Sequence, residues 1–342
     1  MEIGLYTFGD IGTNPVTGEK VDARKRLSDL MEEIRLADEV GLDVFGLGEH
    51  HRPNYAVTSP HTVLAAAAAV TQRIRLSSAV SVLSSDDPVR VYQQFATLDN
   101  LSGGRAELMV GRGSFIESFP LFGHDLKDYD ALFEEKLAML LEIDTHELLR
   151  WPGTDHTQAV DRLGVYPRPV NGHLPIWIAA GGSPQSMVRA GGLGRPLALA
   201  IIGGEPRRFA GLTDLYRRAA AQAGHADVAR VSMNVHGFVG TDAKRAADVY
   251  YPAQKAVMDQ LGRERGWAPQ SRAQFDASMG PEGAQFVGSP AQIVDKILSL
   301  REDLGFDRVS IQMAIGVIEH AEVLRAIEVL GTQVAPELRK AG

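Results

Sequence analysis

The chain has 342 residues, a hydrophobic content of 44% and a formal net charge of -8 at pH 7. This length suits one large barrel or two smaller domains, and the negative charge argues against nucleic acid or an anionic membrane surface as a partner. Because the chain contains no cysteine, disulfides and thiolate metal sites are excluded.

The start of the chain predicts a soluble, cytoplasmic protein. Residues 3–8 form an apolar segment typical of a strand, without the basic region that precedes the apolar core of a secretion signal. No apolar run in the sequence is long enough to span a bilayer. We therefore expect no membrane partner.

Predicted strands and helices alternate along the whole chain, with limits set by apolar periodicity, turn residues and Ser-Pro pairs. The eight predicted strands are residues 3–8, 44–49, 74–82, 106–110, 176–180, 197–202, 231–239 and 307–313. The predicted helices are residues 26–40, 59–70, 88–101, 129–149, 184–191, 207–223, 243–261, a helix that starts at Ser289-Pro290, and residues 319–334.

Eight strand–helix units in series predict the α/β class and a single (β/α)8 TIM barrel over residues 1–342, rather than an open doubly wound sheet. We expect insertions after strands 4 and 7. Residues 150–173, which contain three prolines, predict an irregular excursion or a short hairpin, and residues 262–285 predict a polar insertion. The alanine run at 65–69 predicts a homodimer contact, with an ordinary helix contact within the chain as the alternative.

A polar cluster follows the second predicted strand, at the end of the barrel where such folds carry their chemistry. It consists of Glu49, His50 and His51, side chains that can move protons. The alternative is that these groups only satisfy loop backbone. The two adjacent histidines would diverge in an extended segment, so the cluster predicts catalysis rather than a metal site.

Arg112 follows the fourth strand between two glycines, an arrangement suited to bidentate capture of a phosphate or carboxylate. The alternative is a salt bridge to Glu49 or to an aspartate.

The fifth strand ends in Gly181, Gly182 and Ser183, followed by a proline that opens a helix. Free N–H groups and the helix dipole at such a turn predict a phosphate site. The alternative is ordinary turn and cap chemistry, and the similar turn at Ser289 is a second candidate. Gly203, which follows the sixth strand, is a further candidate cofactor contact.

Small side chains in the third strand, residues 77–81, leave space for a flat ring, although packing under a helix is an equal alternative. The candidate ring contacts are Ala79, Val80 and Ser81.

Several of these segments resemble bacterial luciferase and its relatives: residues 46–53, Ala79–Val80, residues 88–90, the turn at 98–105 and Gly111-Arg-Gly113. Residues 163–169, 175–179, the Gly-Gly-Ser-Pro turn and residues 288–291 resemble the wider family of luciferase-like monooxygenases. The similarity covers nearly the whole chain in the expected order.

The resemblance implies a barrel enzyme that uses reduced FMN and dioxygen through a flavin hydroperoxide. It implies a cis peptide between Ala79 and Val80 against the flavin ring, and FMN phosphate held by Arg112 and residues 181–183. His50 would be the general base, oriented by Glu49 or His51. Gly111 stands where luciferase has a cysteine, so light emission is not implied.

Two rival functions stay open, namely hydride transfer with a deazaflavin coenzyme and non-catalytic flavin binding. We expect a small organic substrate, with reduced FMN supplied by a separate NAD(P)H:flavin reductase or made in place. Residues 115–128 and 150–173 are the predicted lid.

Overall fold

Buried strands close into an eight-stranded parallel barrel in this computed structural model, which describes residues 1–341. We number the barrel strands β1 to β8: Glu2–Thr7, Val44–Leu47, Arg75–Ser78, Ala106–Gly111, Ile176–Ala180, Leu197–Ile201, Val231–Val239 and Arg308–Gln312. Each strand pairs in parallel with its two neighbours, and β8 pairs with β1 to complete the ring. The predicted fold class is confirmed.

Amphipathic helices return the chain around the outside of the barrel. They are Ala23–Glu39, Pro60–Ala68, Pro88–Ser102, Tyr129–Thr145, Pro184–Gly192, Ala210–Gln222, Pro290–Leu304 and His320–Val329, and a last helix spans Ala335–Lys340. Side chains such as Asp22 and Asp87 accept hydrogen bonds from free amides at the helix starts. Within residues 1–341, no helix is long and apolar enough to cross a membrane.

The third strand is shorter than predicted. β3 stops at Ser78, the peptide between Ala79 and Val80 is cis, and a two-residue strand at Ser81–Val82 resumes beside β4. The interruption moves the Ala79–Val80 backbone out of the sheet at the carboxyl end of the strand. The cis peptide implied by the resemblance is therefore present in the structure.

The two predicted insertions contain regular structure. Leu148–Trp151 pairs with Val160–Gly164 as an antiparallel hairpin, so the preceding helix ends at Thr145 rather than at residue 149. After β7, a helix spans Ala243–Arg265, four residues beyond its predicted end, and a second helix spans Arg272–Ser278. Gln285–Gly288 then pairs with the end of β7.

The lower interior of the barrel is filled. Arg308 forms two hydrogen bonds with Glu107, at 2.7 and 2.9 Å, and a third with Glu2 at 2.8 Å. Trp177 lies over this guanidinium at 4.4 Å and packs with Met109. Because this floor is closed, any ligand must bind above it, at the carboxyl ends of the strands.

Candidate functional site

Glycines bring the Ala79–Val80 segment close to the neighbouring strands at the mouth. A Cβ on Gly46 would lie 2.8 Å from the Cβ of Ala79, and a Cβ on Gly111 would lie 3.0 Å from Cγ2 of Val80. A Cβ on Gly48 would overlap the carbonyl oxygen of Ala79. Ala79 and Val80 nevertheless keep partly exposed side chains. The result is a partly exposed apolar wall at the mouth of the barrel.

Glu49 ties this wall to β2. Its Oε1 accepts a hydrogen bond from the Val82 N–H at 2.5 Å, and its own N–H donates to the Val80 carbonyl at 3.3 Å. Burial, opposed by the Val82 N–H and assisted by the Asp86 charge, raises the pKa of Glu49 to about 8. At neutral pH the carboxyl is mostly protonated. The structure therefore makes Glu49 an anchor of the wall, and within residues 1–341 it does not hydrogen-bond the ring of His50.

Aromatic rings enclose His50. It stacks on Phe8 with ring centres 4.1 Å apart, and its edges face Tyr55 at 4.7 Å and Phe115 at 4.5 Å. Burial, together with the charges of Arg52 and His51, lowers the pKa of His50 to about 3. His50 is therefore a neutral imidazole near pH 7, held by ring packing rather than by Glu49 or His51.

His51 turns away from His50 and places its ring edge on Phe122, 5.2 Å away. Burial lowers its pKa, while the carboxylates of Asp86 and Glu117 oppose that shift.

Arg112 pairs with an aspartate rather than with Glu49. Its Nη1 lies 2.5 Å from Oδ1 of Asp130, and its guanidinium lies 5.1 Å from the Tyr129 ring. Arg112 follows β4, and β4 pairs with β5, so this guanidinium and the turn at residues 181–183 leave adjacent strands at the same rim.

The turn after β5 presents backbone amides to open space. Ser183 caps the helix Pro184–Gly192 through the Ser186 N–H, and Gly182 has a φ of +110°. A Cβ on Gly181 or on Gly203 would meet no atom within 4 Å. In residues 1–341 the amides of Gly182 and Ser183 have no backbone acceptor. Residues that combine free amides, a nearby guanidinium and open space fit a phosphate group.

The second candidate phosphate turn, at Ser289, has its amide occupied. The Gln292 side chain accepts a hydrogen bond from the Ser289 N–H at 3.0 Å and one from its hydroxyl at 3.1 Å. This capping box removes the free donor that an anion would need. The turn after β5 is therefore the better phosphate site.

Arg52, which sequence reasoning missed, links two segments of the chain that lie near His50. Its guanidinium contacts Glu264 at 2.5 Å and Glu117 at 3.3 Å, and lies 4.5 Å from the Phe115 ring. Glu117 belongs to the loop after β4, and Glu264 to the end of the helix Ala243–Arg265. We call these three charged residues the Arg52 latch. The sequence signal was its position directly after the Glu-His-His cluster.

The hairpin at 148–164 contacts the outer rim instead of the Arg52 latch. The His156 N–H donates to Glu135 at 3.0 Å, and Gln158 donates to Asp87 at 3.3 Å. Among residues 1–341, no group of three or more His, Asp or Glu side chains is placed to hold a metal ion.

A sequence model of the luciferase-like monooxygenase family matches residues 1–308. Among curated proteins, 4-hydroxyprotoasukamycin monooxygenase of Streptomyces nodosus subsp. asukaensis is 28% identical over 330 residues, which cover 90% of this chain and 86% of the relative. Sequence similarity therefore extends over most of both proteins.

Solved structures with the same fold include two types of flavin-related enzyme. Monooxygenase RslO1 from Streptomyces bottropensis has a TM-score of 0.83 at 24% identity, covering 98% of this chain and 99% of that one. The oxygenating constituent of 3,6-diketocamphane monooxygenase from Pseudomonas putida, solved with FMN, has a TM-score of 0.77 at 20% identity, covering 98% of both chains. The coenzyme F420-dependent tetrahydromethanopterin reductase of Methanopyrus kandleri has a TM-score of 0.74 at 19% identity, covering 98% and 99%. At these identities the structural similarity shows the fold alone.

Proposed function

The chain belongs to the luciferase-like monooxygenase family, and from this premise we propose that it is an FMN-dependent monooxygenase acting on a small organic substrate. Reduced FMN supplies two electrons to dioxygen, so that one oxygen atom enters the substrate and the other leaves as water. In the expected reaction, reduced FMN would come from a separate NAD(P)H:flavin reductase.

The observation that carries this proposal is the convergence of three groups at one rim. Arg112 and the free amides at residues 181–183 leave the adjacent strands β4 and β5, and the Ala79–Val80 wall lies on the β3 side of β4. A phosphate at the first two groups would allow an attached flat ring to lie against the wall. The neutral residues on the wall match the apolar face of an isoalloxazine.

Each residue then has a defined task. Arg112 and the amides of Gly182 and Ser183 bind the phosphate. To do so, the guanidinium of Arg112 gives up its ion pair with Asp130 and pairs with the phosphate instead. Glu49 holds the wall in place through Val82. His50 holds or transfers a proton between its ring nitrogens and the substrate.

The Arg52 latch would keep water away from the reacting atoms. It joins the loop after β4 to the helix Ala243–Arg265 above His50, and Phe115 closes the space between them. Oxygen chemistry at a reduced flavin requires a dry, closed pocket, because water diverts reactive species into side reactions.

A deazaflavin-dependent hydride transfer is the second candidate. It is supported by the F420-dependent reductase that shares this fold over 98% of the chain. The two candidates differ in their coenzyme and in their need for oxygen, which makes them separable by binding and by gas consumption.

The test is fluorescence titration of the purified protein with FMN, riboflavin and coenzyme F420, followed by oxygen uptake with NADH, FMN and a generic flavin reductase. We expect FMN to bind more tightly than riboflavin and F420, and a substrate panel to raise oxygen uptake with a product heavier by one oxygen atom. Preferential F420 binding without oxygen uptake would support hydride transfer instead. Tight binding of oxidised FMN without turnover, unchanged by His50→Ala, would indicate a non-catalytic flavin-binding protein.

A further inference from the structure

Four of the buried polar atoms that have no hydrogen-bond partner come from β7, from the loop after β1 and from the helix Ala243–Arg265, whereas Arg112 follows β4. Within residues 1–341 these four are Oδ2 of Asp10, Nδ1 of His236, Oη of Tyr250 and Oε1 of Gln254. All four residues are more than nine-tenths buried. We call them the polar sector. Unpaired buried polar groups are rare in native proteins, so a cluster of them needs an explanation.

Three of these residues belong to one contact region. Oδ1 of Asp10 accepts a hydrogen bond from the Gly316 N–H at 2.8 Å, just after β8. A Cβ on Gly316 would lie 2.7 Å from the Ala253 carbonyl oxygen, so this loop lies against the helix Ala243–Arg265. Tyr250 and Gln254 are one turn apart on that helix and share a face. Burial raises the pKa of Tyr250, and the charge of Asp10 adds to the shift.

Strand register brings His236 to the same sector. His236 on β7 pairs with Gln312 on β8, and Leu5 pairs with Ile311, so Tyr6 on β1 neighbours Gln312. Gln312 lies an even number of residues after Arg308 on β8, and Tyr6 lies an even number after Glu2 on β1. These side chains therefore point to the inner face of the barrel, as Arg308 and Glu2 do. They form one polar layer of the barrel lining that runs from β7 through β8 to Tyr6 on β1. A Cβ on Gly46 would contact both Tyr6 and Ala79, so this layer meets the apolar wall at β2.

The chemistry of the polar sector favours ligands that donate hydrogen bonds. Asp10 and Gln254 offer carbonyl or carboxylate oxygens, while Tyr250 and His236 can accept as well as donate. Burial lowers the pKa of His236 to about 4, so its ring is neutral near pH 7. Burial raises the pKa of Asp10 to about 7, although the Gly316 N–H and the charge of Arg26 oppose this shift. A carboxylate ligand would add a negative charge beside Asp10, whereas a hydroxyl or amide N–H would complete the unpaired acceptors.

We propose that the polar sector is the substrate-recognition subsite of this enzyme, and that it binds hydroxyl or amide N–H groups of a neutral substrate. This inference rests on the proposed function, since it assigns the Ala79–Val80 wall of the same mouth to the flavin. It also defines a substrate class, because a simple aliphatic chain would leave the same atoms unpaired.

Three probes of equal ring and chain test the proposal: 4-ethylphenol, 4-ethylanisole, which lacks the donor, and 4-ethylbenzoate, which carries a charge. Dissociation constants would be measured by ligand-observed NMR on the FMN-saturated protein and on the flavin-free protein. We expect 4-ethylphenol to bind at least about fivefold more tightly than either of the others, as one hydrogen bond implies. Equal binding of the phenol and the anisole would overturn the proposal.

Gln254→Leu and His236→Leu then locate the preference, with the exposed Gln222→Leu as the matched control. Each sector variant should lose roughly five- to tenfold in phenol affinity, keep its anisole affinity and keep its FMN affinity. Its Tm should stay level or rise, because an unpaired polar atom is removed. A fall in Tm would show that these atoms bind internal water, and a fall in FMN affinity would show that they contact the flavin. Either result contradicts the proposal.

The two hypotheses fail separately. If FMN does not bind, the proposed function is wrong, while the phenol preference of the flavin-free protein still decides the role of the polar sector.

Discussion

Glu49 and His50 are neighbours in sequence, and burial shifts their protonation toward the neutral form in both cases. The pKa of Glu49 rises to about 8 and that of His50 falls to about 3. The sequence predicted residue types able to move protons, but not these environments, because Phe8, Phe115 and Val82 come from other segments of the chain. Burial and partners, rather than residue identity, decide which charge each group carries.

Glu49→Gln should change how stability depends on pH. The folded-state pKa of Glu49 lies above its ordinary value of 4.5, so the folded protein binds the extra proton. This contribution is complete below about pH 4.5 and is lost as the pH rises toward 8. The neutral glutamine keeps the acceptor for Val82 without titrating. We expect the stability of the variant relative to wild type to improve by roughly 4 kcal/mol between pH 5 and pH 8.5 in denaturant titrations.

The control for this experiment is Glu39→Gln, which changes an exposed carboxylate on the outer face of the first helix. Parallel pH profiles for wild type and Glu49→Gln would contradict the assignment of a raised pKa to Glu49.

At the scale of elements, the cover over His50 depends on contacts between segments distant in sequence. The Arg52 latch joins residues 52, 117 and 264, and no local pattern announces such a long-range pairing. The lid roles of residues 115–128 and 150–173 stay predictions. Phe115 and Glu117 of the first segment contact His50 and Arg52. The hairpin in the second segment hydrogen-bonds to Glu135 and Asp87.

Arg52→Ala should loosen this cover. The side chain of Arg52 is 11% exposed, so its two ion pairs are less screened than surface pairs. We expect amide hydrogen exchange in residues 114–122 to become roughly fivefold faster. This increase corresponds to a decrease of about 1 kcal/mol in the free energy of local opening. Glu264→Gln should give a smaller change in the same residues.

The exposed pair of Arg35 and Glu39 supplies the matched control, because its side chains are 53% and 55% exposed. If Arg35→Ala affected residues 114–122 as much as Arg52→Ala does, the latch would have no specific role.

For the whole molecule, we propose a homodimer formed through the helices Pro60–Ala68 and Pro88–Ser102. A groove between them is lined by small and polar side chains, among them Ala65, Thr62 and Thr97, and Leu101 beside it is 64% exposed. Small side chains let another helix approach closely. A second copy of the chain is the occupant that the alanine run favours.

Ala65→Arg should convert the protein to a monomer, because the long charged side chain would fill the groove and lose its hydration on association. Light scattering coupled to size exclusion measures the mass directly. Ala223→Arg, on an exposed position at the end of another helix, should leave the dimer intact. A wild-type protein that elutes with the mass of one chain would contradict the proposed homodimer.

The architecture as a whole was largely predictable, because periodicity, caps and turns are local signals. All eight barrel strands lie where apolar runs predicted them, to within a few residues. The interruption at Ala79–Val80 could be anticipated only through the family resemblance, since small residues permit a bulge without requiring one. The Asp130 partner of Arg112 depends on how the helix Tyr129–Thr145 packs beside the end of β4. The polar sector depends on how β1, β7, β8 and the helix Ala243–Arg265 meet in space.

The most direct measurement compares FMN with riboflavin, which differ in the phosphate, for wild type, Arg112→Ala and Asp130→Asn. If Arg112 binds the phosphate, Arg112→Ala should weaken FMN by roughly 1.5–3 kcal/mol and leave riboflavin nearly unchanged. Asp130→Asn, which removes the competing carboxylate, should bind FMN as tightly as wild type or more tightly. Equal losses for FMN and riboflavin in Arg112→Ala, or an equal loss of FMN in both variants, would contradict the central claim that this rim holds the flavin phosphate.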